Sequence, residues 1–142
     1  MTTINLLGSL KVTRLNAILT AIGASGFMDI YTGSAPTDTG TTATGTLIVS
    51  LPLSATAGVV SGSGTVASPA LFTFNTITTT NATGAGTLTA GYARVRSAAQ
   101  GAGGAGTVDL DVGTSGASVI LNTVNIANGS PVSITSATIQ EA

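Results

Sequence analysis

The sequence predicts a mostly β protein, an antiparallel β-sandwich or jelly-roll-like domain with one N-terminal helix. Three observations predict it. Thr supplies 26 and Ser 14 of the 142 residues, and a β-branched hydroxyl suits the solvent face of a pleated sheet without bringing charge. From Phe27 onward the apolar residues alternate with a period of two, the repeat of a strand. Gly, Asn and Pro clusters then interrupt the alternation roughly every 8–12 residues, the spacing of sandwiches and barrels. The length is enough for a core: area scaling gives a folded surface of roughly 6,600 Å² against about 20,000 Å² unfolded.

One segment has helical periodicity. Leu15, Ile18, Leu19 and Ile22 recur at i, i+3, i+4 and i+7, with Val12 before them, which places a helix over about residues 10–22. Ser9 is the expected N-cap and Gly23 the expected stop. Lys11 and Arg14 sit in the first turns, the unfavourable end of the helix dipole, so packing of the apolar stripe must hold this helix. The chain therefore divides into an N-terminal segment, 1–26, and a β-sandwich, 27–142, within a single domain.

Phe27-Met-Asp-Ile-Tyr-Thr32 reads as the first strand and Gly33 to Gly40 as a loop. Leu47, Val49, Leu51 and Leu53 alternate, and Pro52 on the opposite face marks an edge strand. Val59–Val66 reads as a short strand or a loop. Leu71–Thr80 carries Phe72 and Phe74 on one face. Thr87–Ser97 is a long strand with Leu88, Tyr92, Arg94 and Arg96 on one face, and Gln100–Gly106 is a Gly-Ala turn. Val108, Leu110 and Val112 alternate with Asp109 and Asp111. Val119–Ile126 and Val132–Ile139 complete the series around the turn Ala127-Asn-Gly-Ser130.

The charge inventory excludes most chemistry. Charged residues are 6% of the chain, against roughly 25% in an average domain, and His and Cys are absent. No imidazole can shuttle protons, no thiolate can attack, and zinc lacks its usual ligands. Four basic residues and a net charge of -1 cannot build an electropositive nucleic-acid surface. The 55 uncharged residues between Asp38 and Arg94 are broken by Thr, Ser, Gly and Pro before they reach a membrane span. Two Tyr and three Phe cannot furnish the girdles of an outer-membrane barrel. Residues 11–25 only loosely mimic a signal peptide, because Asn16 and Thr20 interrupt the apolar part. The expectation is no enzyme, no cofactor, no metal, no nucleic acid and no membrane.

Four features merit a functional reading. Gly101-Ala-Gly-Gly-Ala-Gly106 matches the dinucleotide fingerprint, but a strand follows it where the mechanism needs a helix, so it reads as a turn. Asp109 and Asp111 share a strand face; they read as a solvated face lying across from Arg94 and Arg96, or as an adventitious Ca²⁺ site. Tyr92, Arg94 and Arg96 form the one aromatic-basic cluster, either an interface anchor or a face neutralised by those two carboxylates. The stripe Val12, Leu15, Ile18, Leu19, Ile22 is either a lid on the β core or a docking surface. These eight residues are the candidate contacts.

The order of pieces carries a resemblance. Arg14-Leu-Asn-Ala-Ile-Leu19 is followed by Asp29-Ile-Tyr-Thr-Gly33-Ser-Ala-Pro36, then by Gly91-Tyr-Ala-Arg94-Val-Arg96, Asp111-Val-Gly-Thr-Ser-Gly116 and Val132-Ser-Ile-Thr135. In this the chain resembles the head-decoration, or cement, proteins of tailed bacteriophages. The resemblance implies a virion structural protein, made in the host cytoplasm and placed on the outer capsid surface. There it would bridge major capsid subunits as a dimer or trimer, with no catalytic residue to transfer. A receptor-binding fibre-tip module and a tail-tube component are the alternatives.

Overall fold

The computed structural model describes residues 6–141; residues 1–5 and 142, the outer ends of the two predicted segments, lie outside the described residues. A helix, α1 (Gly8–Ile22), precedes eleven strands: β1 (Phe27–Thr32), β2 (Leu47–Pro52), β3 (Gly58–Ser61), β4 (Ala70–Phe74), β5 (Thr80–Asn81), β6 (Thr87–Arg96), β7 (Val108–Gly113), β8 (Val119–Leu121), β9 (Asn125–Ala127), β10 (Pro131–Val132) and β11 (Ile134–Glu141). The protein is mostly β with a single helix, as predicted, built on one large curled sheet. No described helix is long and apolar enough to cross a membrane.

The helix starts earlier than the sequence suggests. Leu7 occupies the cap position without a side-chain bond, and Ser9 lies inside the first turn, where its carbonyl accepts the Thr13 hydroxyl (2.9 Å). Gly23, at φ +66°, ends the helix as expected and returns its N–H to the Leu19 carbonyl. Leu15 and Ile22 are buried, Val12, Ile18 and Leu19 pack partly against the same core, and the helix lies over β3 and β4. The stripe is therefore a lid on the β core.

The main sheet runs β2-β1-β6-β7-β8-β11-β4-β3, with β9 also paired to β6, while β5 and β10 form a separate ribbon. All pairings are antiparallel except β7 with β8, which makes the sheet mixed; a jelly-roll-like arrangement is compatible with its curl. Pro52 does lie on an edge strand, β2. A register shift between Ile30 and Tyr31 leaves Ile48 as an extra residue in β2, so that Ile48 and Val49 are both buried and the simple alternation fails there.

Three strands predicted as continuous are broken, in each case beside a side chain that competes for backbone groups. The run 119–126 splits into β8 and β9 because Asn122 bonds the 131–133 backbone in both directions and the Thr123 hydroxyl caps Asn125. The run 71–80 ends at Phe74; beyond it Asn75 bonds the segment that leads into β3, its N–H to the Ala57 carbonyl and its side-chain amide to the Thr56 carbonyl. The segment 132–139 likewise breaks at Ser133, whose N–H goes to the Asn122 side chain.

Around β6 the two sheet faces have opposite chemistry. Met28 pairs with Val95, Ile30 with Ala93 and Leu110 with Ala93, while Leu51 and Val49 continue the row on β2. These residues, with Leu15, Ile22 and the edge-to-face pair Phe72–Phe74 (4.7 Å), make the core. The alternate residues, Asp29, Tyr31, Tyr92, Arg94, Arg96, Asp109 and Asp111, face the other way.

Candidate functional site

Strand alternation puts Tyr92, Arg94 and Arg96 on one face of β6, but the structure does not leave them exposed. Two loops, residues 33–46 and 97–107, close over this face and bond each other, Ala43 N–H to the Gly103 carbonyl (2.9 Å) and Gly106 N–H to the Thr39 carbonyl (2.8 Å). Beneath them Arg94 is 1% exposed, Tyr92 2% and Asp29 0%. The expectation that Tyr92, Arg94 and Arg96 anchor an outer interface is corrected accordingly: they hold a roof onto the sheet.

Each charged side chain beneath the roof is matched. Arg94 lies directly across from Asp109 and donates both arms of its fork to that carboxylate at 2.7 Å. Its remaining donor serves the Thr41 carbonyl (2.6 Å) in one loop and the Gly104 carbonyl (2.9 Å) in the other. The Asp109 hydrogen bond outweighs desolvation and holds the guanidinium above its usual range. Gly106 leaves room for the Arg94 side chain, since a Cβ there would stand 2.6 Å from its Cγ.

Arg96 does not reach Asp111, as the neutralised-face reading supposed; it pairs with Asp29 (2.6 Å), and the Ser50 hydroxyl donates to the same carboxylate. Its other donors go to the Gln100 carbonyl (2.8 Å) and the Ser50 hydroxyl (3.2 Å), and its guanidinium sits 4.3 Å above the Phe27 ring. Tyr31 and Tyr92 stack at 5.3 Å. The Tyr92 hydroxyl donates to the Thr44 carbonyl and accepts its N–H, and the Tyr31 hydroxyl accepts the Gly103 N–H. Burial pushes the Tyr31 phenol above its usual range.

Asp29 is the member that sequence reasoning missed. The signal was present: a lone carboxylate at an interior position of the otherwise apolar and aromatic run Phe27–Thr32 requires a buried partner. The Gly101–Gly106 run is the roof itself, supplying backbone groups to Tyr31 and Arg94 rather than cradling a phosphate.

Asp109 and Asp111 do share a face, on the wall of a cleft of about 290 Å³ beside Gly33, Gly91 and Tyr92. Asp109 is committed to Arg94, Asp111 accepts the Ser118 N–H (3.0 Å), and among the described residues no group of three ligating side chains gathers there. The Ser118 hydroxyl, then its N–H, hold the Asp111 carboxyl below the usual carboxylate range. That contact stabilises the fold fully above about pH 4 and is lost as the pH falls through the depressed value. Asp111→Asn should therefore separate from wild type in melting temperature at neutral pH and converge with it on acidification. A constant difference down to about pH 2 would show that Asp111 contributes no titrating contact.

No family model matches this chain, and no curated protein or solved structure is significantly similar to it.

Proposed function

We propose that the chain is a non-enzymatic virion structural protein, a cement protein that decorates the outer capsid of a tailed phage and bridges neighbouring major capsid subunits. One observation supports this reading: the surface carries little charge, because four of the nine charged residues are paired out of solvent. Of nine charged residues, Asp29, Arg94, Arg96 and Asp109 form two ion pairs beneath the roof loops, and Arg14 pairs with Glu141 (3.0 Å). Arg14, Asp38 and Asp111 are exposed and Lys11 and Glu141 half-buried, so most of the outside is left to Thr, Ser, Gly and Ala. Such a surface can be covered by a neighbouring subunit with little desolvation penalty, whereas exposed charges would be expensive to bury.

With Tyr92, Arg94 and Arg96 enclosed, the contact residues fall to the outer side of α1. Leu7 (75% exposed) and Leu10 (46%) present apolar surface at its N-terminus, beside the exposed parts of Val12, Ile18 and Leu19, whose remainder packs on the core. A fibre-tip module recognising glycans draws less support, because both tyrosines, the natural sugar platforms, are spent on the buried stack. Nucleic acid and membrane are not among the partners of this reading; the major capsid protein and further copies of the chain, as dimers or trimers, are.

Binding only the assembled lattice, the protein would stabilise the shell by linkage. Adding the purified chain to undecorated capsids is expected to raise their melting temperature in proportion to occupancy. Saturable binding with no thermal shift would end the cementing role.

A further inference from the structure

We infer that Asn128 is a deamidation site that the fold holds in check, and that its conversion to Asp unlatches the cover over the β2 edge. The inference is independent of the cement reading. Asn128-Gly129 is the one Asn-Gly pair in the sequence. It forms the exposed turn between β9 and β10, with Gly129 at φ +80°. A glycine after asparagine removes the side chain that ordinarily shields its backbone nitrogen, so that nitrogen can attack the asparagine Cγ. The attack forms an N–Cγ bond, the backbone nitrogen gives up its proton, and the amide leaves as ammonia. Water then opens the resulting succinimide to Asp or isoAsp.

Both reacting groups are restrained here. The attacking nitrogen is engaged, since Gly129 N–H donates to the Ala82 carbonyl (2.8 Å). The leaving amide is engaged too, donating to the Thr83 carbonyl (3.2 Å) and the Gly84 carbonyl (3.0 Å). Asn128 N–H to Gly86 and Ala82 N–H to Ser130, both 2.8 Å, complete a clamp between residues 82–86 and 128–130. Attack requires the clamp to open, so the reaction reports local opening rather than exposure.

The clamp has a structural task. Thr83 and Gly84 donate their N–H groups to the Ile48 carbonyl, the extra residue of edge strand β2 (2.9 and 3.0 Å). Conversion of Asn128 to a carboxylate replaces a double donor by an acceptor facing two carbonyl oxygens. Both bonds are lost and repulsion takes their place, loosening the segment that covers the β2 edge and leaving that edge free to pair.

The test incubates the full chain at mildly alkaline pH, folded in buffer and in parallel unfolded in guanidinium chloride, and follows the one-dalton gain at Asn128 by peptide fragmentation. Deamidation at Asn128 is expected to run at least about tenfold faster in the unfolded chain. Equal rates would remove the gate, and no reaction at Asn128 in the unfolded chain would remove the site. Separately, Asn128→Asp should melt roughly 3–8 °C below wild type, with Asn128→Ala falling between them. An Asp variant that melts with wild type would overturn the unlatching.

Discussion

Replacing Arg94 by alanine is expected to destabilise the protein by about 3–5 kcal/mol, the range for breaking a buried ion pair by removing one partner. Against the roughly 5–15 kcal/mol that holds a typical domain together, this is the largest effect expected from a single polar side chain here. The loss has two parts. The Asp109 carboxylate, only 10% exposed, is stranded without a counter-charge, and the Thr41 and Gly104 carbonyls lose the donor that ties both loops to the sheet. Arg94→Lys separates them. A lysine restores a positive charge near Asp109 but cannot span a bidentate carboxylate and two carbonyls at once, so it should recover only part of the loss. Urea unfolding of the three proteins measures this directly. If Arg94→Ala unfolds within about 1 kcal/mol of wild type, the roof is held by its backbone bonds and the tyrosine contacts instead.

How far the sequence foretells this arrangement depends on the range of the interaction that decides it. Phe27–Thr32, the Gly23 helix stop, Pro52 at an edge and the turn at 127–130 follow from local patterns, and the structure has each of them. Arg94 opposite Asp109 was legible as well, because alternation puts both on one face of neighbouring strands. The strand breaks at Asn75, Asn122 and Ser133 were not. They arise from side chains bonding backbone many residues away, which no hydrophobic period encodes. The roof was hidden for a similar reason. Gly33–Gly40 and Gln100–Gly106 read as an ordinary loop and turn, and only the fold brings the segments 33–46 and 97–107 together over β6. A charged strand face that looked solvated is thereby an interior one. The two arginines on that face could have raised the question, since the chain places so few charges anywhere else.

Leu15→Ala is the second large expectation, a loss of about 2–5 kcal/mol, because the side chain is 1% exposed and its removal opens a cavity between α1 and the sheet. The same truncation at Leu10, five residues earlier and 46% exposed, should change stability by no more than about 0.5 kcal/mol. The contrast matters because the helix has two proposed duties, closing the core and meeting a partner, and the proposed docking falls on residues that the core does not use. Leu15 and Ile22 point into the core; Leu7 and Leu10 do not. On the cement reading, Leu10→Ala should leave the isolated protein intact while weakening its retention on capsids. Leu15→Ala should lower the melting temperature of the isolated protein whether or not capsids are present. If instead Leu10→Ala matches wild type both in solution and on capsids, the helix N-terminus is not the docking surface. The contact must then lie on the uncharged Thr, Ser and Gly faces of the sheet.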